Sequence, residues 1–281
     1  MRLAVTGASG FCGAAVARLA VAHGHDVLCL GRRPGPVGRH VGWDAARELP
    51  DLTGADAVVH LAAAVGDPRP GRRAEAAFRA VNVDGTARLL RALDGRPLVW
   101  VSSASVYRPG PYPAPVHEDH PADGQRGVYG RTKAAGERLA LAAGAVALRP
   151  RAVYGDGDRH LLPRLRRVVR GGRAWLPGPD VGMSLTAVEN LAEACLAAVG
   201  WPGGAYNIAD ERPYRRDEVF ARALRVPVRH VPAGPVRALA AVSPTVTRYA
   251  VDQLTDGMVL RLDRARSLGY RPARTLADYL V

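Results

Sequence analysis

An α/β fold is what this sequence predicts: a doubly wound parallel sheet covered by helices on both faces, with a small C-terminal lobe. Three observations carry the prediction. Short, wholly apolar runs alternate with helical stretches through the first half of the chain, the pattern of strands buried on both faces. A glycine-rich turn links the first such run to the first helix. The 281 residues, 48% of them hydrophobic, fill one large unit with an appendage more naturally than two independent domains.

The elements follow in order. Leu3–Val5 is an apolar strand closed by Thr6 and Gly7. Phe11–His23 is alanine-rich and runs into Gly24, a helix and its stop. Val27–Leu30 is the second strand, Gly31–Gly38 a Gly/Pro/Arg loop and Val41–Trp43 a short third strand. Ala57–Leu61 reads as a fully apolar strand, with His60 at its edge as a satisfied structural histidine, and Ala74–Leu93 as one long helix. Leu98–Ser102 is a strand following the Gly95-Arg96-Pro97 turn. The proline-rich stretch Arg108–Gly127 is an irregular loop, in which Glu118 and Asp119 read as surface charges. Val128–Ala143 is helix up to Gly144, and Val146–Leu148 strand up to Pro150.

The second half is less regular. Leu161–Val169, Leu191–Val199, Asp217–Leu224 and Arg248–Leu254 read as helices, Leu185–Val188 as extended and Ala205–Ile208 as strand. These pieces are too few for a core of their own. The expected organisation is a main unit over residues 1–155, rejoined by some later segments, and a lobe formed mainly by residues 156–281.

Composition removes several function classes. No run approaches the ~18 apolar residues of a membrane span, and the opening Met-Arg-Leu-Ala-Val-Thr-Gly-Ala enters a strand without a signal-peptide pattern, so a cytoplasmic location is expected. Cys12, Cys29 and Cys195 stand far apart and outside any CxxC or Cys/His cluster, which predicts small buried hydrophobes rather than disulfides or a metal site. The net charge of +13 suggests nucleic acid, but the arginines are scattered and aromatics are only 6%, so a small-molecule substrate is expected instead. Arginines of the stretch Arg164, Arg166, Arg167, Arg170 and Arg173 fit a solvated helix face. Lysine and arginine total 39, yet Lys133 is the sole lysine. Whatever it does, a guanidinium does not replace it.

Thr6-Gly7-Ala8-Ser9-Gly10-Phe11-Cys12-Gly13 carries glycines in a GxxGxxG pattern between strand and helix. In that context Gly7 allows the tight turn, Gly10 lets backbone approach a pyrophosphate, and Gly13 lets the helix pack on the strand, as in a Rossmann-type dinucleotide fold. The helix N-terminus, with Ser9, Phe11 and Cys12 around it, offers N–H groups to the anion. The end of the second strand discriminates between cofactors. A carboxylate there, about 20 residues past the glycines, would take the ribose 2′-hydroxyl of NAD. Leu30-Gly31-Arg32-Arg33 has none, and Arg32 or Arg33 can pair with a 2′-phosphate, so NADP(H) is favoured over NAD(H). Asp44 is placed to accept from the adenine amino group, or serves as a turn aspartate.

Tyr129 and Lys133 stand at i and i+4 and share one helix face. A nearby ammonium favours tyrosinate and draws a tyrosine pKa from about 10 toward neutrality, making a general acid/base. Lys133 can also donate to ribose hydroxyls. Ser103 ends a strand of the sheet, where ligands bind, and can hydrogen-bond a substrate carbonyl or alcohol. Ser103, Tyr129 and Lys133 are therefore the candidate catalytic residues.

With these motifs in hand, the chain resembles an extended short-chain dehydrogenase/reductase nearly end to end. Thr6–Gly13 is similar to the family's TGxxGFxG. His60-Leu61-Ala62-Ala63 is similar to its HLAA after strand four. Asn82-Val83-Asp84-Gly85-Thr86 is similar to its NVxGT. Ser103, four residues before Tyr107, aligns with the catalytic Ser/Thr, and Tyr129 and Lys133 with the catalytic pair. Leu148–Gly155 resembles LRPxxVYG, whose backbone, here including Pro150 and Val153, lines the nicotinamide pocket. The segments Gly157–Arg164, Ala205–Asp210 and Leu262–Pro272 are similar to parts of 3β-hydroxysteroid dehydrogenases and 2-alkyl-3-oxoalkanoate reductases. The resemblance implies hydride exchange between nicotinamide and a substrate carbon, Tyr129 handling the proton, and interconversion of a ketone and a secondary alcohol. It is also compatible with a homodimer. Departures are Arg108 where the family has Gly, Thr186–Asn190 where many members have VHVDD, and a shortened region around Arg225–Thr247 that would shape the substrate pocket. Two alternatives remain at this point: a sugar-nucleotide epimerase or dehydratase recycling tightly held NAD, and a non-catalytic NADP sensor, whose usual loss of the Tyr/Lys pair is not seen.

Overall fold

Strands that alternate with helices leave a parallel sheet little choice of topology, because each right-handed crossover carries its helix across one face. The computed structural model describes residues 1–68, 71–158, 165–243 and 247–279. Strands β1 (Arg2–Thr6), β2 (Asp26–Gly31), β3 (Arg39–Gly42), β4 (Ala57–His60), β5 (Leu98–Val101) and β6 (Val146–Pro150) are interleaved with helices α1 (Phe11–Ala22), α2 (Arg72–Asn82), α3 (Asp84–Ala92) and α4 (Val128–Ala142). Then come β7 (Val153–Tyr154), β8 (Val169–Arg170), β9 (Arg173–Pro177), β10 (Gly182–Met183), β11 (Thr186–Ala187), β12 (Gly204–Ile208), β13 (Tyr214–Arg215) and β14 (Val228–Val231).

Seven strands, all parallel, form the main sheet in the order β12-β6-β5-β4-β1-β2-β3. The order reverses between β1 and β4, which opens a crevice at their carboxyl ends. The register keeps those ends level: Thr6 pairs with both Leu30 and His60, and Val101 with Leu148. Consecutive residues point to opposite faces, and both faces are covered. Val5 and Val59 join Val16 of α1 and Leu191 of helix Val188–Ala197 in one apolar cluster, while Ala4 and Val58 join Leu89 of α3 and Ala140 of α4 in the other. That double cover is why the strand sequences are apolar without alternation.

Three expectations change. The long helix predicted over Ala74–Leu93 is two, divided at Val83. Asn82 is the reason: its side chain is committed to Ala64 and Thr132 and its carbonyl accepts from Thr86 Oγ1, which anchors the α2 terminus. The C-terminal lobe does have a core of its own, built on Leu176, Leu185, Val219 and Phe220. Part of it is a small sheet, β14-β9-β8, that the sequence reading lacks. Its signal was Gly171-Gly172, whose positive φ values of 54° and 67° make the two-residue turn of a hairpin. Of the helix expected over Leu161–Val169, residues 161–164 lie outside the described residues, and Val169 belongs to β8. Most of the Gly157–Arg164 motif, with Arg164, lies outside them too.

Helix α4 crosses close to α2 and β5 at Gly136, where a β-carbon would stand 2.2 Å from Asn82 O and 3.0 Å from Trp100 Cζ2. Gly136→Ala should therefore lower stability by roughly 1–3 kcal/mol, seen as a lower urea midpoint at unchanged slope. An unchanged midpoint would mean that α4 slides outward without cost.

Candidate active site

The crevice is built first by glycine. Gly7, at φ 70°, turns the chain out of β1 and donates its N–H to Leu30 O at 2.9 Å. A β-carbon at Gly13 would stand 2.3 Å from Gly7 O, so only glycine lets α1 start this close to the strand. No side chain caps α1, and its first turn holds no acidic residue. Ser9 and Gly10 are exposed, and Phe11 and Cys12 half-buried. An open helix N-terminus of this kind fits a pyrophosphate, and a dinucleotide would be held by Gly7–Gly13 with the loop after β4. Burial pushes the Cys12 thiol up to about 12, with Asp158 adding to the shift, so it is an inert wall of the cradle. Among the described residues no His/Cys/Asp/Glu group could hold a metal ion.

Buried polar groups lock the crevice walls together. Thr6 Oγ1 accepts from the N–H groups of Leu61 and Ala62, both at 3.1 Å, and lies 2.8 Å from His60 Nδ1. Asn82 accepts from Ala64 N–H at 2.8 Å and donates to Ala64 O at 3.1 Å and Thr132 Oγ1 at 3.0 Å. Thr132 precedes Lys133, so Asn82 ties Ala64, at the end of the loop after β4, to α4. His60 is only half satisfied, against the expectation from sequence, because its buried Nε2 has no partner among the described residues. Burial, with Lys133 nearby, lowers its pKa to about 3 and keeps the ring neutral.

Ser103, Tyr129 and Lys133 come from adjacent pieces of chain. Ser103 opens a single 3-10 turn, Ala104–Val106, and its Oγ accepts from Ser105 N–H at 3.2 Å and Ser105 Oγ at 2.9 Å. Tyr129 lies half-buried in the first turn of α4. The next residue, Gly130, is where that turn meets the serine segment, since a β-carbon there would stand 2.7 Å from Ser105 O. Lys133 is 3% exposed, donates from Nζ to Val101 O at 2.7 Å and sits 3.7 Å from the centroid of the Trp100 ring. Desolvation lowers its pKa to about 7, against an opposing pull from Glu137. The remaining predicted residues spread along the strand ends. Arg32 and Arg33 are exposed just past β2 and make no ion pair among the described residues. Asp44 spends Oδ1 on Ala46 N–H at 2.9 Å. Pro150 closes β6 and Val153 starts β7.

A charged network beneath the crevice escaped the sequence reading. Glu137 and Arg149 form an ion pair with N–O distances of 2.6 and 3.1 Å, and each is under 5% exposed. Ser102 Oγ donates to the same carboxylate. Burial works against the Arg149 charge, but the Glu137 pair outweighs it and raises its pKa. Arg149 also donates to Glu118 O at 2.8 Å and lies 4.7 Å from the centroid of the Tyr107 ring, whose hydroxyl donates to Asn207 Oδ1 at 2.6 Å. Glu118 is thus no surface charge: it is buried, and its Oε1 accepts from Asn207 N–H at 2.8 Å. Its place in a polar, proline-rich loop hid this.

The model of the NAD dependent epimerase/dehydratase family matches residues 3–209. This chain belongs to the NAD dependent epimerase/dehydratase family. Membership makes it an NAD-dependent enzyme of the extended short-chain dehydrogenase/reductase type. The family member is 32% identical to a 2-alkyl-3-oxoalkanoate reductase of Stenotrophomonas maltophilia, over 80% of this chain and 75% of that protein. It is 30% identical to a 4-hydroxy-2-methyl-3-oxo-4-farnesyl-3,4-dihydroquinoline-1-oxide ketoreductase of Stigmatella aurantiaca, over 90% and 83%. Among solved structures, MoeE5 in complex with UDP-glucose and NAD matches at TM-score 0.78 and 26% identity, covering 100% of this chain and 96% of that one.

The buried amine has a measurable cost. Lys133 gives up its proton at about 7 in the folded chain, against 10.5 for the free side chain. The unfolded state therefore binds more protons between those values, and stability from this group rises with pH across that window. Without cofactor, Lys133→Met is expected to melt higher than the parent at neutral pH, by about 3–5 °C, with the gap closing toward pH 10.5. A gap independent of pH would contradict the burial.

Proposed function

We propose that this enzyme interconverts a ketone and a secondary alcohol, with NADP(H) preferred over NAD(H). The observation that carries the reading is the chain's sole lysine, buried against the carboxyl end of β5 four residues past Tyr129. When bound, the nicotinamide supplies or accepts the hydride. Tyr129 exchanges the proton at the substrate oxygen, and Ser103 Oγ donates a hydrogen bond to that oxygen. Lys133, when protonated, favours the tyrosinate form. Gly7–Gly13 and the loop from Leu61 to Ala63 hold the dinucleotide, with Asn82 fixing that loop against α4. Two relatives described as reductases of oxo compounds support the reaction class. The unpaired Arg32 and Arg33 support a 2′-phosphate partner, and residues after 155 mainly shape the substrate side.

A second reading, sugar-nucleotide epimerisation or dehydration, is favoured by the likeness to MoeE5 bound to UDP-glucose and NAD. There the cofactor would copurify and return unchanged after turnover. The ketoreductase reading requires stoichiometric consumption of reduced cofactor.

Two outcomes are expected. Tyr129→Phe should lower kcat by about 100-fold or more, and near-normal turnover by that variant would reject the proton role. Replacing Arg32 and Arg33 together by Ala should cut the preference for NADPH over NADH by at least about tenfold, measured as the ratio of dissociation constants.

A further inference from the structure

Resting on the ketoreductase reading, we infer that Arg151 is the receptor for a carboxylate on the substrate, so that the enzyme acts on an oxo or hydroxy acid rather than on a neutral ketone. A narrow cleft beside the serine turn is lined by Ser105, Gly130, Tyr112, Arg151, Tyr249 and Gln253, among others. Ser105, whose Oγ donates to Ser103 Oγ at 2.9 Å, and Gly130, the residue after Tyr129, line this cleft together with Arg151, which puts the cleft next to the proposed reacting end. Arg151 follows the last residue of β6, and Thr186 Oγ1 pins its backbone at both ends, at 3.1 Å to N and 2.9 Å to O. The side chain is therefore placed by the sheet rather than by a loose loop.

It has no ion pair of its own among the described residues. Arg151 is 6% exposed, and among those residues its guanidinium donates only to Gln253 Oε1 at 3.1 Å and Met258 Sδ at 3.4 Å, leaving the buried Nε without a partner there. Two carboxylates lie close by, and both are taken. Asp252 pairs with Arg126 and with Arg237 at 3.4 Å, and Asp256 with Arg237 at 2.9 Å. Three guanidinium groups thus face two carboxylates. The other buried arginines are treated differently: Arg149 is paired with Glu137, and Arg216 is held by Asp217 and three backbone carbonyls. A buried cation without a counter-charge is costly, and an incoming anion removes that cost. Guanidinium matches a carboxylate with two parallel donors, and a single one suits a carboxylate better than a diphosphate.

The test pairs binding with turnover. Hexanoate and hexanamide are titrated calorimetrically into the protein loaded with NADP⁺, and 3-oxooctanoate is compared with its methyl ester in NADPH oxidation. Hexanoate should bind at least about 30-fold more tightly than hexanamide, and the acid should exceed the ester in kcat/KM by a similar factor. In Arg151→Met both ratios should fall to near unity, with the loss for the acid carried mainly by KM. Arg151→Lys should restore part of the preference, which a folding defect would not. Equal binding of hexanoate and hexanamide by the parent protein overturns the Arg151 assignment even if the ester is reduced. Arg151-dependent binding of UDP without binding of hexanoate also overturns it, in favour of a phosphate group. Carboxylate binding with no oxidation of NADPH by any ketone leaves Arg151 assigned and defeats the ketoreductase reading instead.

Discussion

One amine buried where β5 ends organises the site around it. Lys133 can reach Val101 O only if α4 lies almost against the strand, and glycine at 130 and 136 makes that approach possible. Trp100, fully buried beneath, gives the ammonium an aromatic face in place of water. The same proximity brings the first turn of α4, with Tyr129, onto the serine turn after β5. Packing of the helix and placement of the proposed proton-transfer residues are therefore one geometric fact rather than two.

Charge below the crevice makes that packing tolerable. Glu137 sits one turn beyond Lys133 and opposes the desolvation that draws the amine toward neutrality. It does so while bound to Arg149 and Ser102, so its own charge is held in place from β6 and from the end of β5. Through Glu118 and Asn207 the network continues to the long loop and to β12. Removing one member would strand a buried charge, which costs far more than the pair contributes when intact. The network thus ties together five separate segments of sequence at the floor of the site.

This division explains what could be read from sequence. Motifs whose meaning is local were legible: the glycine cradle works through two bonds of backbone, the Tyr129/Lys133 pair through one helical turn, and the strands through unbroken apolar runs. The seven-stranded parallel sheet follows from those runs. What depended on partners far along the chain was not legible. Glu118 is polar in a polar loop until Asn207, 89 residues on, claims it. The break at Val83 needs Asn82 to meet Ala64 and Thr132, contacts no helical periodicity encodes. The core of the lobe is assembled from short strands, of which only the Gly171-Gly172 turn gave a local sign.

The unusual basic composition then takes on a physical sense. Arginine stays charged at any pH a protein meets, so a buried arginine must find an anion or enough carbonyl oxygens. Arg149 and Arg216 have done so inside the protein, and Arg151 has not. Lysine alone among the two can surrender its charge to burial, and at about 7 Lys133 stands where it can be either form. A chain that uses arginine at every other cationic position has lysine at the one point where a charge that burial can remove lies one helical turn past Tyr129. That asymmetry separates an arginine proposed to hold a partner from a lysine proposed to set the charge beside Tyr129.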